Sequence, residues 1–363
     1  MDACGGLQLV FSGDGEEKAI DVEAEYKDIF TNTSMYQLTQ DDVQIQYRQR
    51  LGSGAFCNVY PCFVKNGRTK QFNERLPPFA IKMLNYELAE NPKLLQAAFD
   101  DICHEAEIIQ KLSHENITSM YGMCDLEIGK KNMTDFFIVT EKLEGTLGGK
   151  LEKWAKIRGS FKKFVPADAV ELRINLVAKP LADAFRYIHS QNIIYRDLKP
   201  GNIGFDAKGN VKLFDFGLAV VIEKENGFIR GKAGTLRYMC PEMKAEKGRG
   251  QYSFTADVYS YAILLWEIVA SRIPFEKEIP MSQFSTPKEL PIDKRPNLKY
   301  IESTDLGNLL VKAWETDPMR RLTFEQLIPE LELVSKYFQA EREKSDKKKK
   351  PSKKIYGSVM NNY

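Results

Sequence analysis

The sequence predicts an α+β, two-lobed fold: a small, mostly-β lobe with one long helix, followed by a larger, mostly helical lobe. Three observations carry that reading. From Val43, the stretches VQIQYRQRLGSG, NVYPCFV and PFAIKML read as two strands around a glycine turn and a third strand. The run LLQAAFDDICHEAEIIQKL then places Ile102, Ala106, Ile109 and Leu112 at spacings of three and four, which is one face of a helix. After Glu144-Gly145-Thr146 the periods lengthen, in AVELRINLVAKPLADAFRYIHSQ, ADVYSYAILLWEIVAS, DLGNLLVKAWE and FEQLIPELELVSKYF.

The remaining elements fall into place around these. NITSMYGMC and FFIVTEKL read as strands that complete the first lobe, and NIGFD and VKLFD as short strands of the second. Pro180 stands inside a helical run, where it lacks the amide the helix needs, so it should kink that helix or shift its start. Residues 1–42 are acidic (Asp14, Glu16, Glu17, Asp21, Glu23, Glu25, Asp28), show no strong period, and read as an extension. The globular domain is expected over 43–340, with one lobe at 43–141, a connection at 142–146 and the other lobe at 147–340. Residues 341–363 carry a lysine block followed by Pro and Ser and read as a disordered basic tail. No internal repeat is detected.

The chain has 363 residues, 43% of them hydrophobic, which is enough for one large unit or two lobes. A formal net charge of +2 argues for neither a nucleic-acid binder nor a membrane-surface protein. The cysteines Cys4, Cys57, Cys62, Cys103, Cys124 and Cys240 lack CxxC spacing and read as reduced thiols. The start shows no signal peptide and no glycine directly after Met1, and no run reaches the roughly 18 apolar residues of a membrane span. A soluble cytoplasmic protein is expected, with the basic tail offering a route to nuclear import or an acidic partner. The oligomeric state is open.

The chemistry-bearing residues come in a fixed order. Gly52-Ser53-Gly54-Ala55-Phe56-Cys57-Asn58-Val59 is a glycine-rich hairpin whose backbone amides could approach phosphate, and the lack of a following GK[ST] excludes a Walker loop. Ala80-Ile81-Lys82 sets a lysine on an apolar strand, and Glu105 sits on the long helix where it could pair with it. Then come Tyr195-Arg196-Asp197-Leu198-Lys199-Pro200-Gly201-Asn202, Asp215-Phe216-Gly217 and Met239-Cys240-Pro241-Glu242. This ordered set resembles the protein kinase family, serine/threonine type, of the tyrosine-kinase-like or a related group, over roughly Val43 to Phe338.

The resemblance implies an ATP- and Mg2+-dependent enzyme acting on protein substrates. It makes Asp197 the base and orienter of the substrate hydroxyl and gives Lys199 the γ-phosphate. Asn202 and Asp215 become the Mg2+ ligands, and Lys82 and Glu105 the strand lysine and helix glutamate. Leu51, Gly52, Ser53 and Gly54 are expected at the phosphates, and Val59 and Ala80 as the apolar roof over adenine. Thr140 matches the gatekeeper, while Glu141 and Leu143 should offer backbone groups to the adenine edge. Asp257 looks like the helix aspartate that braces the catalytic loop, and Arg321 like the partner of Glu242. Specificity for Ser and Thr rests on Lys199 and on Gly234-Thr235-Leu236-Arg237-Tyr238, with the Thr235 hydroxyl expected on Asp197 and Lys199. Tyr195 should pack on Phe216, in a stack that also draws on Met120, Ile109 and the Asp257 anchor.

The sequence departs from the family pattern in four places. Tyr195 replaces the commoner histidine of the catalytic loop, a residue also found there in active kinase groups, so no loss of activity is expected. Cys57 replaces the third glycine of the hairpin and puts a thiol where oxidation could act. Gly204 stands where family members place a leucine beneath adenine, which implies weak ATP binding. Between Asp215 and Glu242, Thr235 is the only Ser or Thr and Tyr238 the only Tyr, so Glu223 or Glu225 is expected to supply the charge that Arg196 usually finds in a phosphate. Two alternatives stand beside the kinase reading: a pseudokinase scaffold with weakened ATP binding, and a small-molecule phosphotransferase. Retention of the catalytic set argues against the first, and the peptide platform with its Pro-Glu against the second.

Overall fold

The computed structural model describes residues 8–11, 17–20, 36–65, 79–159, 164–222, 227–244, 250–279 and 294–348. They fall into two compact units. The first takes in the chain up to Ser113, Ile117–Glu144 and Phe205–Gly209, and the second takes in His114–Asn116, Gly145–Gly204 and the chain from Asn210 onward.

In the first unit, β1 (Gln8–Phe11) and β2 (Glu17–Ile20) form an antiparallel hairpin of their own. β3 (Tyr36–Leu38), β4 (Val43–Ile45), β5 (Gly52–Ser53), β6 (Cys57–Val64) and β7 (Phe79–Leu84) follow. Next come helix α1 (Pro92–Ile109), β8 (Met120–Cys124), α2 (Leu126–Lys131) and β9 (Phe137–Glu141). The main sheet has the order β3-β8-β9-β7-β6-β4, with β5 paired to β6. All its pairings are antiparallel except β3 with β8, which is parallel, with Gln37 opposite Met123.

α1 starts where the sequence provides a cap: Asn91 accepts from the Leu94 amide at 3.2 Å, and Pro92 occupies the first turn, where its missing amide costs nothing. Its face of Ala98, Phe99, Ile102 and Ala106 shares one core with Ile81, Phe137, Ile138 and Val139 of the sheet. Burying side chains of this size is worth about 1.5–3 kcal/mol each, so the helix is held by its packing. One of its buried residues is not apolar. Glu105 is 4% exposed, and a carboxylate so placed needs a cation.

The second unit opens with β10 (Gly145–Thr146) and α3 (Leu147–Arg158), whose first turn is capped by Thr146 accepting from the Gly149 amide at 3.4 Å. α4 (Ala167–Arg173) runs through a π turn at Ile174–Ala178 into α5 (Lys179–Ser190). Pro180 lies in the first turn of α5, so its effect is to place a π turn just before it rather than to end the helix. Short strands follow: β11 (Ile193–Ile194), β12 (Ile203–Phe205), β13 (Val211–Leu213), β14 (Val220–Val221), β15 (Ile229–Arg230) and β16 (Gln251–Tyr252). Their sheets are β10-β12-β13, β11-β14 and β15-β16.

α6 (Thr255–Ala270) is buried on every side from Ala256 to Ala270; it is mostly apolar, and its buried polar residues Asp257, Ser260 and Glu267 are hydrogen-bonded. α7 (Thr304–Ala313) and α8 (Phe324–Lys348) complete the unit. α8 is tied to the α4–α5 run by Ser335 Oγ donating to Asn175 Oδ1 at 2.8 Å and by Lys179 Nζ lying 2.6 Å from Glu332 Oε1. It also continues past the boundary placed at 340, reaching Lys348, so the stretch 341–348 expected to be disordered is helical. The physical reason is local: Arg342 Nη1 sits 3.0 Å from Glu171 Oε2 on α4, and Glu341 pairs with Lys344 one turn on at 2.8 Å. Among the described residues no disulfide forms, and no helix is long and apolar enough to cross a membrane.

Candidate active site

The first unit builds a cationic group and a hairpin. Lys82 on β7 and Glu105 on α1 meet, Nζ to Oε2, at 2.5 Å. β7 brings the lysine there because its flanking residues Ile81 and Met83 are buried, and the neighbouring β6 sets Val59 opposite it. The glycine-rich hairpin is closed by Gly52 opposite Val59, Ser53 opposite Asn58, the Leu51 amide donating to Val59 O at 2.8 Å, and the Gly54 amide donating to Cys57 O at 2.8 Å. Leu51 itself is exposed, and Cys57 is half-buried.

Along the next strand, Ala80 pairs with Thr140, whose Oγ1 donates to the Glu141 carbonyl at 3.3 Å. Glu141 is buried and doubly tied to Ser119: its amide donates to Ser119 O at 3.0 Å, and its Oε1 accepts from the Ser119 amide at 2.8 Å. The Glu141 amide is thus engaged within the first unit. Leu143 is half-buried two residues on.

The second unit builds a carboxylate held on both oxygens. Asp197, 6% exposed, accepts from Thr235 Oγ1 on Oδ1 at 2.8 Å. On Oδ2 it accepts from Lys199 Nζ at 2.6 Å and Asn202 Nδ2 at 3.1 Å. Asn202 also donates to the Asp197 carbonyl at 3.0 Å, and its own carbonyl accepts from the Phe214 amide at 3.1 Å. That backbone bond fixes Phe214, the residue before Asp215, on the turn that ends at Asn202; Asp215 has φ of 65°.

The loop carrying Asp197 is anchored from beneath. Asp257 on α6 is fully buried and accepts from the Tyr195 amide at 2.8 Å and the Arg196 amide at 2.9 Å. Its Oδ2 lies 2.9 Å from His189 Nε2 as well. A buried carboxyl needs polar partners, and here two backbone amides donate to it while His189 Nε2 lies within hydrogen-bond reach. The Tyr195 ring stands edge-on to Phe216, centroids 5.2 Å apart, and its hydroxyl donates to Phe214 O at 2.6 Å. Met120 and Ile109 belong to the first unit.

Further along, Arg321 makes a two-pronged pair with Glu242 at 2.7 and 3.1 Å, and also donates to the carbonyls of Thr255 and Glu315. Tyr238 donates to Glu267 Oε2 at 2.6 Å. Burial is the main cause that raises the Glu267 carboxyl to about 7, and it also pushes the Tyr238 phenol well up. Glu223 and Glu225, the charges expected to meet Arg196, lie outside the described residues.

Two residues of this site went unread in the sequence. His189 is one residue from the end of α5, and only its spacing before the Tyr-Arg-Asp run could have marked it. Tyr252 carries no motif at all, yet its hydroxyl accepts from Arg196 Nη1 at 3.3 Å.

The geometry agrees with what comparison to known proteins finds. A family model described as the protein kinase domain matches residues 45–331, and the chain belongs to that family. It is 30% identical over 281 residues to serine/threonine-protein kinase STY46 of Arabidopsis thaliana, covering 77% of this chain and 44% of that protein. It is 33% identical over 274 residues to probable serine/threonine-protein kinase drkD of Dictyostelium discoideum, covering 73% of this chain and 19% of that one. With the serine/threonine/tyrosine-protein kinase HT1 of Arabidopsis thaliana the identity is 27%, covering 81% of this chain and 67% of the relative. The chain spans less than half the length of the first two of these curated relatives.

Proposed function

We propose that the chain is a serine/threonine protein kinase that moves the γ-phosphoryl group of ATP, bound with Mg2+, to hydroxyls of protein substrates. The observation that carries this reading is the Asp197 carboxylate with Thr235, Lys199 and Asn202 donating to it. Phosphoryl transfer asks the protein for positioning and charge neutralisation more than for covalent chemistry. A carboxylate held at both oxygens can orient an incoming hydroxyl and receive its proton. Lys199 supplies a cation for charge on the transferred group, and Thr235 ties the same carboxylate to the Gly-Thr-Leu-Arg-Tyr segment expected to seat the peptide.

The donor set fits a nucleotide-bound magnesium ion. Asn202 turns its Nδ2 toward Asp197, so its amide oxygen lies on the other branch, and Asp215 contributes a carboxylate. Two hard oxygen donors suit Mg2+, which fills the rest of its shell with water and phosphate oxygens. Among the described residues no group of three or more His, Cys, Asp or Glu is placed to hold a metal without such help. When bound, ATP with Mg2+ supplies the activated phosphoryl group. Lys82, steadied by Glu105, would meet the α- and β-phosphates, the amides of Gly52, Ser53 and Gly54 would cover them, and Val59, Ala80, Thr140, Glu141 and Leu143 would frame the adenine. A catalytically silent scaffold finds no support in a chain that keeps Lys82, Glu105, Asp197, Asn202 and Asp215. We place the protein in the cytoplasm, with the basic segment after 341 as a means of nuclear entry.

Labelled ATP, Mg2+ and an array of Ser, Thr and Tyr peptides test this reading. Transfer to Ser or Thr that disappears in Asp197→Asn is expected. Transfer that survives this substitution, or none from the wild-type chain, would overturn it.

A further inference from the structure

An arginine directly before the catalytic aspartate usually meets a phosphate added to the segment between Asp215 and Glu242, and here that segment has no hydroxyl to spare. Thr235 donates to Asp197, and Tyr238 donates to Glu267. Among the described residues, Arg196 donates to neutral groups: its Nε to the Leu218 carbonyl and its Nη1 to the Tyr252 hydroxyl at 3.3 Å.

Tyr252 holds that place firmly. It is 1% exposed and lies in β16, opposite Ile229 of β15. The next pair in the ladder is Arg230 opposite Gln251, whose amide, oriented to satisfy both partners, accepts from Arg230 Nη2 at 2.6 Å and Nε at 3.1 Å. One residue thus touches the segment through its backbone and the catalytic-loop arginine through its side chain. Leu218, the other acceptor, lies three residues past Asp215 in the same segment.

We propose that Tyr252 is a positioning residue that stands in for an activating phosphate. Its hydroxyl and the Leu218 carbonyl hold Arg196, its backbone holds Ile229, and the β15 part of the segment is held in place without being phosphorylated. This rests on the reading of the chain as a protein kinase.

The test uses the full chain after phosphatase treatment, with intact mass confirming that no phosphate remains. Two quantities are followed: tryptic cleavage after Arg230, which is exposed but lies in the β15–β16 ladder, and peptide phosphorylation resolved into kcat and KM. The dephosphorylated wild type is expected to be active and protected at Arg230. Tyr252→Phe, which keeps the ring, is expected to speed that cleavage and lower kcat by about tenfold, the loss set by one hydrogen bond to a charged group, with KM for ATP unchanged. Arg196→Met removes the same contact without touching β16, and the double variant should be no worse than Arg196→Met alone, because Tyr252 acts through Arg196.

Protection and kcat unchanged in Tyr252→Phe would overturn the proposal. So would strictly additive losses in the double variant, a wild type that gains activity only when phosphorylated in this segment, or exposure of Arg230 by Glu223→Gln/Glu225→Gln in place of Tyr252→Phe. If no protein in the series transfers phosphate to any peptide, the kinase reading falls, and the cleavage rates still decide whether Tyr252 orders the segment.

Discussion

Gly234 approaches the Arg196 carbonyl so closely that a Cβ at Gly234 would stand 2.2 Å from that oxygen. Its φ of 87° lies in the left-handed region as well, so the position excludes a side chain on two counts. This contact presses the segment onto the catalytic loop and delivers Thr235 to Asp197. Gly234→Ala is expected to part them, lowering kcat by about 30-fold or more, which corresponds to about 2 kcal/mol. A matched thermal melt should move far less than it would for an unfolding lesion.

Lys82 and Glu105 give a second outcome. Glu105→Gln takes the Glu105 charge away from the half-buried Lys82 ammonium. A rise in KM for ATP of about tenfold is expected, together with a smaller fall in kcat, read from initial rates at varied ATP.

The Arg321–Glu242 pair should matter mainly to stability. The Arg321 side chain is fully buried, so Glu242→Gln strands a charge, and a loss of about 3–5 kcal/mol is expected in urea unfolding. Arg321→Lys should not rescue the site, because a lysine cannot reproduce the planar fork that also reaches the Thr255 and Glu315 carbonyls.

Glu267 predicts a pH dependence with a definite sign. Burial raises its carboxyl from 4.5 to about 7, so the folded chain holds this proton more tightly than the unfolded chain. The stability it contributes is full below pH 4.5, declines as pH rises to about 7, and is absent above that. The size is roughly 3 kcal/mol across the window. Urea midpoints at pH 5 and pH 8 should differ by correspondingly more for the wild type than for Glu267→Gln.

Gly204 is buried in β12, where a leucine was expected from the family pattern. If the missing side chain weakens the adenine floor, Gly204→Leu should lower KM for ATP. An unchanged or higher KM would instead mean that neighbours already fill the space.

Much of this was legible in the residues, for identifiable reasons. The long strands and helices announce themselves by period: β6, β7 and β9 by alternation or apolar runs, and α1 and α6 by their apolar faces. α3 was unreadable because Gly148 and Gly149 open it; it forms because Thr146 caps it and Leu147, Leu151 and Trp154 are buried. β11, β14, β15 and β16 are two residues each, too short for any period, and exist because partners elsewhere in the chain fix them. β3 lay in a stretch without pattern for the same reason. The proposed catalytic set was visible as motif, but His189 and Tyr252, which contact its loop, were not, since each depends on a partner more than fifty residues away.

The parallel pairing of β3 with β8 has a consequence for how the protein keeps to itself. A sheet edge is a template on which another strand can grow, and long bare edges invite chains to stack. Here Tyr36–Leu38 pair with β8, so among the described residues the outermost strand on that side is the three-residue β3 rather than the longer β8. A version beginning at Val43 would bare the five-residue strand β8, and the cost would be paid first in clumping on storage rather than in lost catalysis.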